Sequence, residues 1–358
     1  MAEKVYFIKT GQNPSAEALE QGVRKLLEQF DITSCIEDKD RVAIKIHFGE
    51  PGNITHIPAV CVRPVVETIK RQGGEPFLTD TCVLYKSPRD NAIGHLKAAE
   101  DHGFTYQNVG ASVIIADGLI GSQETEVEIP GILFDKVSIA QAAMEADALM
   151  VLSHVTGHLG CGLGGAIKNI GMGLSSRKGK LRQHSVMKPE VNRDDCTGCG
   201  NCARWCPESA ISLDDGIAVI DPKICIGCGE CVTACRFDAI AYDWSVESAE
   251  LQKRTAEHAL GAVINKQGKT AFINFCVAVT KDCDCFGTVQ SKVVQDIGLL
   301  ASVDPVAIDT ASLDLILKAE GHTLESVSYA HLDAREQLIH GEKIGLGSVS
   351  YTLIEVKA

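Results

Sequence analysis

The chain has 358 residues, of which 45% are hydrophobic and 23% charged, so its composition permits a large folded core. Its 34 Lys and Arg residues against 47 Asp and Glu residues give a formal net charge of −13, which argues against a dedicated binder of nucleic acid or of anionic membranes, because both attract basic proteins. No apolar run approaches the roughly 18 residues of a membrane span and the N-terminus lacks the apolar core of a signal peptide, so we expect a cytoplasmic protein.

Strands and helices alternate through the first half of the chain. Apolar residues at helical spacing, such as Leu19, Val23 and Leu26, predict a helix from Pro14 with Asn13 as its N-cap. In chain order we predict a strand at 5–9, helix 14–30, strand 41–47, helix 58–72, strand 76–80, helix 89–102, strand 112–116, a hairpin over 127–137, helix 140–146 and strand 148–154. This alternation predicts an α/β fold with a mostly parallel sheet that is covered by helices.

The alternation stops near Lys188 and resumes near Trp244. Beyond that point we predict helices at 246–265, 304–319 and 330–340 and strands at 270–279 and 349–356. The simplest interpretation is one layered α/β domain, formed by residues 1–187 and 244–358, which is interrupted by a small α+β insert at 188–243.

The cysteines of the insert carry the strongest motif. Of 15 cysteines, eight lie between residues 196 and 235 in two copies of the spacing C-x2-C-x2-C-x3-C, which is the run of bacterial two-cluster ferredoxins. In this run three cysteines wrap one cubane while the fourth reaches across to the other. We therefore predict a ferredoxin-like insert with two [4Fe–4S] clusters, the first held by Cys196, Cys199, Cys202 and Cys235 and the second by Cys225, Cys228, Cys231 and Cys206.

Two alternatives remain open for the insert. Paired CxxC motifs also bind zinc, although the repeated four-cysteine run is far more specific to iron–sulfur clusters. The clusters could also serve only to hold together a segment that is too short to build its own core. The insert carries more acidic than basic residues, which would suit a basic redox partner protein, although a solvated face is the simpler explanation of the acids.

A glycine-rich segment and a basic run precede the insert. Residues 153–173 read SHVTGHLGCGLGGAIKNIGMG; the segment matches the dinucleotide fingerprint G-x-G-x-x-G literally but lacks its strand–turn–helix context. A structural loop and a ligand-binding loop are about equally supported. The basic run 175–184 reads SSRKGKLRQH and is expected to be a solvated loop, with binding of an anionic group beside the clusters as the alternative.

Polar residues follow several predicted strands. His47 ends one strand, and His154 and His158 lie at and just after the end of another, at the edge where open α/β sheets bind ligands. Cys283 and Cys285 follow a third; a C-x-C pair does not easily close a disulfide on itself, and two thiolates with an imidazole suit zinc or iron. We predict a third metal centre, or a redox site, from Cys283 and Cys285 with His154 or His47; two reduced bystander thiols are the alternative.

Several motifs resemble those of the domain-of-unknown-function family 362, which is described as uncharacterised iron–sulfur-centre proteins. They are KIHFGE (45–50), TDT (79–81), SHVTGH (153–158), GGAIKNIGMG (164–173), NF…CDC (274–285) and DPVAID (304–309). The resemblance covers nearly the whole chain, with the ferredoxin module as an insert typical of one branch. It implies no substrate, but its motif positions imply a polar cluster of His47, His154, His158, Lys168, Asn169, Cys283 and Cys285.

These features together predict an iron–sulfur redox protein of anaerobic metabolism. The clusters would pass single electrons to or from a site in the α/β domain, where Lys168 and Asn169 would bind a small anionic or carbonyl group. His154 and His158 would be ligands or proton donors in that site. The alternatives are a non-catalytic electron-transfer or accessory subunit, and a protein of metal or cluster assembly or delivery in which Cys283 and Cys285 hold a transferable ion.

Overall fold

The computed structural model of the chain describes residues 2–184, 188–225, 227, 230–237, 239–241 and 248–357. Its strands are β1 (Glu3–Lys9), β2 (Arg41–Ile46), β3 (Glu75–Asp80), β4 (Ser112–Ile115), β5 (Glu124–Glu128), β6 (Lys136–Ala140), β7 (Ala148–His154), β8 (Thr156–His158), β9 (Gly162–Gly164), β10 (Glu190–Val191), β11 (Ile211–Asp214), β12 (Ile217–Ile220), β13 (Ile240–Ala241), β14 (Thr270–Cys276), β15 (Gly298–Ser302) and β16 (Tyr351–Glu355). Its helices are α1 (Ala16–Gln29), α2 (Arg63–Arg71), α3 (Ala92–Asp101), α4 (Tyr106–Val109), α5 (Gln141–Glu145), α6 (Ala166–Gly171), α7 (Arg177–His184), α8 (Asn201–Trp205), α9 (Glu230–Ala234), α10 (Ser248–Val263), α11 (Pro305–Glu320), α12 (Leu324–Val327) and α13 (Glu336–Lys343), and single 3-10 turns occur at Ile32–Cys35, Ala59–Val62 and Pro88–Asp90.

One large sheet organises the molecule, with the strand order β16–β1–β15–β14–β7–β2–β3–β4. Neighbouring strands are parallel except on the two sides of β15, which runs antiparallel to β1 and to β14. Strand β7 pairs with β14 in parallel, so that His154 lies beside Phe275. The sheet therefore joins strands from both sides of the insert, and the predicted α/β fold with a mostly parallel sheet is confirmed.

Helices cover both faces of this sheet, as a sheet that is apolar on two sides requires. On one face α1, α2 and α3 contribute Val23, Val65 and Ala99 to a buried core. On the other face α6, α10, α11 and α13 supply a second core that includes Ile167 and Ala259. The central strands β2, β7, β14 and β15 are buried along almost their whole length, and this burial supports the polar groups at the strand ends.

Local capping decides where individual helices begin. The Ser15 side chain accepts a hydrogen bond from the Ala18 amide and caps α1, so the predicted cap at Asn13 is wrong by two residues. Asp304 caps α11 by accepting from the amides of Val306 and Ala307, and Pro305 stands in the first turn, where a missing N–H costs nothing. Both helices therefore start at residues whose side chains satisfy otherwise unpaired amides.

The insert has its own small core and two short antiparallel ladders. Strand β11 pairs with β12 and β10 pairs with β13, and side chains from both halves of the cysteine motif pack between them. The buried members of this core are Cys202, Ile211, Ala218, Cys231 and Ile240. The boundaries of the insert at 188 and 243 stay predictions.

Two parts of the chain differ from the sequence-based expectation. The basic run forms helix α7 rather than a loop, because the Ser176 side chain accepts a hydrogen bond from the Gly179 amide at its start and Lys180 is buried. The short apolar run of β15 was not predicted at all, and it adds a central antiparallel strand to the sheet. Among the described residues, no helix combines the length and apolar character that crossing a bilayer requires.

Candidate functional site

Four of the motif cysteines in the insert line one cavity. The wall of this cavity includes Cys196, Cys199 and Cys202 from the first half of the motif together with Cys235 from the second half. This is the quartet that the ferredoxin pattern assigns to the first cluster. Apolar side chains such as Leu213 contribute to the remaining wall.

The loop around this cavity has the backbone that a cluster needs. Gly198 has a φ of +66°, and a Cβ at this position would lie 2.1 Å from the Gly216 carbonyl oxygen, so only glycine fits. The Ala218 amide donates to the Cys196 sulfur over 3.4 Å. Amide hydrogen bonds to cysteine sulfurs are among the features that tune iron–sulfur clusters.

The second quartet is described in part. Cys231 is buried in the core of the insert and Cys206 packs against that core. The Ala210 amide donates to the Cys206 sulfur over 3.2 Å, and the Gly227 amide donates to the Cys225 sulfur over 3.4 Å. Cys228, the fourth predicted ligand, lies outside the described residues.

A second cluster of polar groups lies at the edge of the large sheet where β2, β3, β7 and β14 end, which we call the carboxyl edge. His47 follows β2, Asp80 ends β3 and His154 ends β7. Because these strands are parallel neighbours, their ends meet at one side of the sheet, as the sequence predicts.

Buried opposite charges form the base of the carboxyl edge. Lys45 Nζ lies 3.0 Å from one oxygen of Asp80, and both side chains are almost fully buried. Although burial acts to raise it, the pKa of Asp80 is held well below its ordinary value by the charge of Lys45. Arg89, which has no exposed surface, donates to Glu50 over 2.8 Å and to the Tyr85 hydroxyl over 2.6 Å. The buried charged side chains at this edge therefore hold one another in position through ion pairs and hydrogen bonds.

His47 is surrounded by donors. Its Nδ1 atom faces the Gly49 amide at 3.0 Å, and its Nε2 atom faces Arg89 Nη1 at 3.0 Å. Burial, reinforced by the Arg89 charge, lowers the pKa of His47 well below its ordinary value. Both ring nitrogens of His47 thus face N–H groups of the protein, and its role as a metal ligand stays a prediction.

His154 has the opposite surroundings. Its Nδ1 atom lies 3.0 Å from both carboxylate oxygens of Asp284, and its Nε2 atom lies 2.9 Å from the Val277 carbonyl oxygen. Although burial acts to lower it, the Asp284 carboxylate raises the pKa of His154. Both ring nitrogens of His154 thus face acceptors of the protein, and its role as a metal ligand or proton donor stays a prediction.

His158 is the histidine that approaches the two sulfurs of the C-x-C pair. A ring nitrogen of His158 and the Sγ atoms of Cys283 and Cys285 lie within 4.8 Å of one another. His158 Nδ1 accepts hydrogen bonds from the amides of Gly160 and Cys161, and burial lowers the pKa of this histidine well below its ordinary value. A neutral ring that accepts at Nδ1 carries its proton at Nε2, so that atom acts as a donor.

Cys283 and Cys285 are joined by a disulfide, which the sequence reasoning did not expect. A disulfide has to be reduced before its sulfurs can serve as thiolate ligands of zinc or iron. The third metal centre stays a prediction, and His158, not His154 or His47, is the histidine that lies near the two sulfurs. Lys168 Nζ lies 3.8 Å from Cys283 Sγ. Burial lowers the pKa of Lys168 to about 8, so this amine holds a labile proton near neutral pH.

Asn169 is held by protein groups at both ends of its side chain, and its predicted role in binding stays a prediction. Its amide nitrogen donates to the Leu152 carbonyl and to the Ser153 hydroxyl, and its amide oxygen accepts from Lys45. With both ends of the side chain engaged, Asn169 fixes α6 to the end of β7. It thereby positions Lys168, the next residue back along the helix.

The glycines of the segment 153–173 serve close packing of the chain on itself. A Cβ at Gly157 would lie 2.2 Å from the Lys281 carbonyl oxygen, and one at Gly165 would lie 2.5 Å from a carboxylate oxygen of Asp309. Asp309 accepts hydrogen bonds from the amides of Ala166 and Ile167 at the start of α6. The structural interpretation of the glycine-rich segment accounts for these two positions.

Several members of the carboxyl edge escaped the sequence analysis. Arg89 and Tyr85 carry no pattern that marks them as site residues, Glu50 is only the last letter of a motif chosen for its histidine, and Asp284 lies between two cysteines that drew more attention. Glu50 and Asp284 stand inside the quoted motifs KIHFGE and CDC. Their acidic character beside predicted ligands is the signal that could have marked them as partners of buried cations.

Two ferredoxin-type proteins are similar to short parts of this chain. A probable ferredoxin of Methanosarcina thermophila is 61% identical over 36 residues, which are 10% of this chain and 62% of that protein. The ferredoxin-type protein NapF of Haemophilus influenzae is 47% identical over 36 residues, which are 10% of this chain and 20% of that protein. The chain thus spans less than two thirds of either relative, and the likeness supports an iron–sulfur segment.

Comparison with solved structures gives weaker likenesses. The lactate racemase apoprotein from Thermoanaerobacterium thermosaccharolyticum superposes with a TM-score of 0.39 at 12% identity, over 75% of this chain and 50% of that one. A protein from Thermotoga maritima gives a TM-score of 0.44 at 10% identity, over 86% of this chain and 59% of that one. Neither likeness bears on function.

A family model covers most of the chain. The match runs over residues 42–314 and therefore includes the strands that form the carboxyl edge as well as the whole insert. The protein belongs to the family described as domain of unknown function DUF362.

Proposed function

We propose that this protein is an iron–sulfur redox protein with two [4Fe–4S] clusters in its insert. The ligands would be Cys196, Cys199, Cys202 and Cys235 for one cluster and Cys225, Cys228, Cys231 and Cys206 for the other. The observation that carries the proposal is the position of Cys235, which comes from the second half of the motif but lines the cavity of the first. Zinc sites of paired CxxC motifs do not need this exchange of the fourth ligand.

The insert fits such clusters in its backbone as well as in its cysteines. When bound, the clusters would supply single-electron transfer. The protein's own part would be to hold the sulfurs, to direct amides such as those of Ala218 and Ala210 at them, and to exclude water through the small apolar core. A redox partner protein that exchanges electrons with the insert belongs to this proposal.

The carboxyl edge is the proposed place where electrons meet a small anionic substrate. Four cationic side chains gather there, namely Lys45, Arg89, Lys168 and His154. Three carboxylates, those of Asp80, Glu50 and Asp284, face them. An excess of positive charge in a chain of net charge −13 favours an anion as the missing partner. A carrier with no reaction of its own would not need this costly cluster of buried charges.

Substitution of the exchanged ligand tests the cluster assignment. In Cys235→Ser, prepared without oxygen, we expect loss of roughly half of the bound iron, because one quartet is broken and the other is complete. Cys276→Ser is the matched control, since Cys276 is buried in the large sheet and should leave the iron content unchanged. Iron that stays at the wild-type level in Cys235→Ser would refute the assignment.

Binding of small anions tests the role of the carboxyl edge. A panel of small carboxylates and inorganic phosphate should include a member that raises the unfolding temperature of the wild-type protein, as a ligand of the folded state does. This shift should vanish in Lys168→Met and persist in Lys178→Met, whose lysine is paired on the surface with Glu124 and Glu126. An equal shift in both variants would contradict the proposed anion site.

A further inference from the structure

We propose that Cys283 and Cys285 form a dithiol–disulfide couple that exchanges with an external dithiol. The inference goes beyond the proposed function and does not depend on it, because a dithiol supplies both electrons without the clusters. It rests on the disulfide itself, on the unequal exposure of its two sulfurs, and on the donors that surround the buried one.

The two cysteines differ in access from solvent. Cys283 is 6% exposed, whereas Cys285 is partly exposed and is followed by the exposed residue Phe286. A thiolate that attacks a disulfide must reach one of its two sulfur atoms, so the more accessible sulfur is attacked. An incoming thiolate therefore reaches Cys285 Sγ, and Cys283 becomes the leaving group.

The surroundings of Cys283 favour that direction. Lys168 Nζ lies 3.8 Å from its sulfur, and the His158 ring, with its proton at Nε2, lies within 4.8 Å of both sulfurs. A cation and an N–H donor stabilise a departing thiolate and so accelerate the exchange. Two other buried thiols show the contrast: burial raises the pKa of Cys61 and of Cys276 to about 12, which makes them inert.

The reaction balances with the dithiol as the only reductant. One thiol of the reagent loses its proton and attacks Cys285 Sγ, which breaks the bond between Cys283 and Cys285 and releases the Cys283 thiolate. The second thiolate of the reagent attacks its own sulfur in the mixed disulfide and releases the Cys285 thiolate. The reagent leaves as a disulfide, and its two protons end on Cys283 and Cys285.

A purely structural role does not explain this disulfide. A disulfide stabilises a fold mainly by closing a loop in the unfolded chain, and the gain falls as the loop becomes shorter. Only Asp284 separates the two cysteines, and this residue is already held by His154 and Thr55. The bond therefore adds little rigidity to the loop.

Alkylation read by mass spectrometry tests the couple on the full-length protein. After anaerobic incubation in dithiothreitol buffers of graded potential, iodoacetamide labels free thiols and trypsin releases residues 282–292, which contain only these two cysteines. We expect two labels or none in a single reversible two-electron transition. A parallel experiment uses reduced thioredoxin as the reductant. If the couple is suited to a protein dithiol, thioredoxin should react faster than dithiothreitol. If it is suited to a small-molecule dithiol, dithiothreitol should react at least as fast as thioredoxin.

Variants of Lys168 decide whether the site promotes the exchange. Lys168→Met should slow the reaction about tenfold, while Lys168→Arg should retain most of the rate and Lys178→Met all of it. Three results would overturn the proposal: a peptide that is labelled only after denaturation, an unchanged rate in Lys168→Met, or zinc retained by the reduced protein that protects both cysteines from alkylation.

Discussion

Three histidines at the carboxyl edge differ in their neighbours. His47 faces two donors, His154 faces a carboxylate and a carbonyl, and His158 Nδ1 accepts from two amides. Such contacts and burial together set the direction of a histidine's pKa shift. The pKa is lowered for His47 and His158 by burial, and, against the effect of burial, it is raised for His154 by Asp284, a difference that three similar letters in a sequence do not show.

The pair of His154 and Asp284 should make stability depend on pH. The folded pKa of His154 is raised above its ordinary value of 6.5, so its contribution is complete below 6.5 and is lost as the pH rises through the raised pKa. The folded pKa of Asp284 is lowered from 3.8, so its contribution is complete above 3.8 and is lost in acid. The ion pair is therefore strongest between these limits.

Asp284→Asn should lower the free energy of unfolding by about 3 kcal/mol at pH 6, because it leaves His154 buried without its counter-charge. The difference from wild type should shrink at alkaline pH, where His154 is neutral in both proteins. Urea unfolding at pH 6 and pH 9.5 measures this, with Asp147→Asn, which removes an exposed partner of Arg41, as a control that costs less than about 1 kcal/mol. A difference that does not change with pH would contradict the account.

Substitution of Lys45 tests how much the buried ion pair with Asp80 contributes to the free energy of unfolding. Lys45→Met leaves Asp80 buried without its closest cation and should destabilise the fold by about 4 kcal/mol, whereas Arg41→Met, at an exposed ion pair, should cost less than about 1 kcal/mol. Adding Asp80→Asn to Lys45→Met should recover part of the loss, since it removes the unpaired charge. Additive losses in the double variant would show that the two residues do not interact.

The strands and helices determine where the polar residues of the carboxyl edge lie, and part of this arrangement could be predicted from the sequence. The alternation of strands and helices predicts parallel neighbours, and polar residues at strand ends then have to meet at one edge. Strand β15 could not be predicted, because a run of five residues from Gly298 to Ser302 has no period that separates a strand from a buried helix segment. The ion pair of Arg89 with Glu50 joins two loops across 39 positions, and no local pattern marks such a contact.

The first cysteine loop of the insert should depend on glycine at position 198. Gly198→Ala places a Cβ 2.1 Å from the Gly216 carbonyl oxygen and should displace the loop, so that this variant loses roughly half of its iron. Gly216→Ala is the matched control: its φ is +76°, but no atom lies within 4 Å of the added Cβ, so it should cost only about 1 kcal/mol and keep its iron. Iron and visible absorbance of both variants decide the point, and equal iron in both would contradict this description of the loop.

At the scale of the whole molecule, the chain combines two candidate sites that the sequence predicts to different depths. The insert allows a prediction of individual ligands because metal ligation fixes both residue types and spacing, and the number and type of its clusters stay predictions. The carboxyl edge could be predicted only as a position, because its chemistry depends on which long-range pairs form. The C-x-C pair shows the difference: the sequence marks Cys283 and Cys285 as candidate site residues, but it does not show that they bond to each other.

The iron content of the intact protein tests the central claim most directly. Protein purified without oxygen should contain about eight iron and eight sulfide ions per chain, with a visible absorbance that bleaches on reduction by dithionite and an EPR signal of reduced cubanes. About four irons would leave one quartet without its cluster. A colourless protein with zinc in place of iron, silent by EPR after dithionite, would contradict the account.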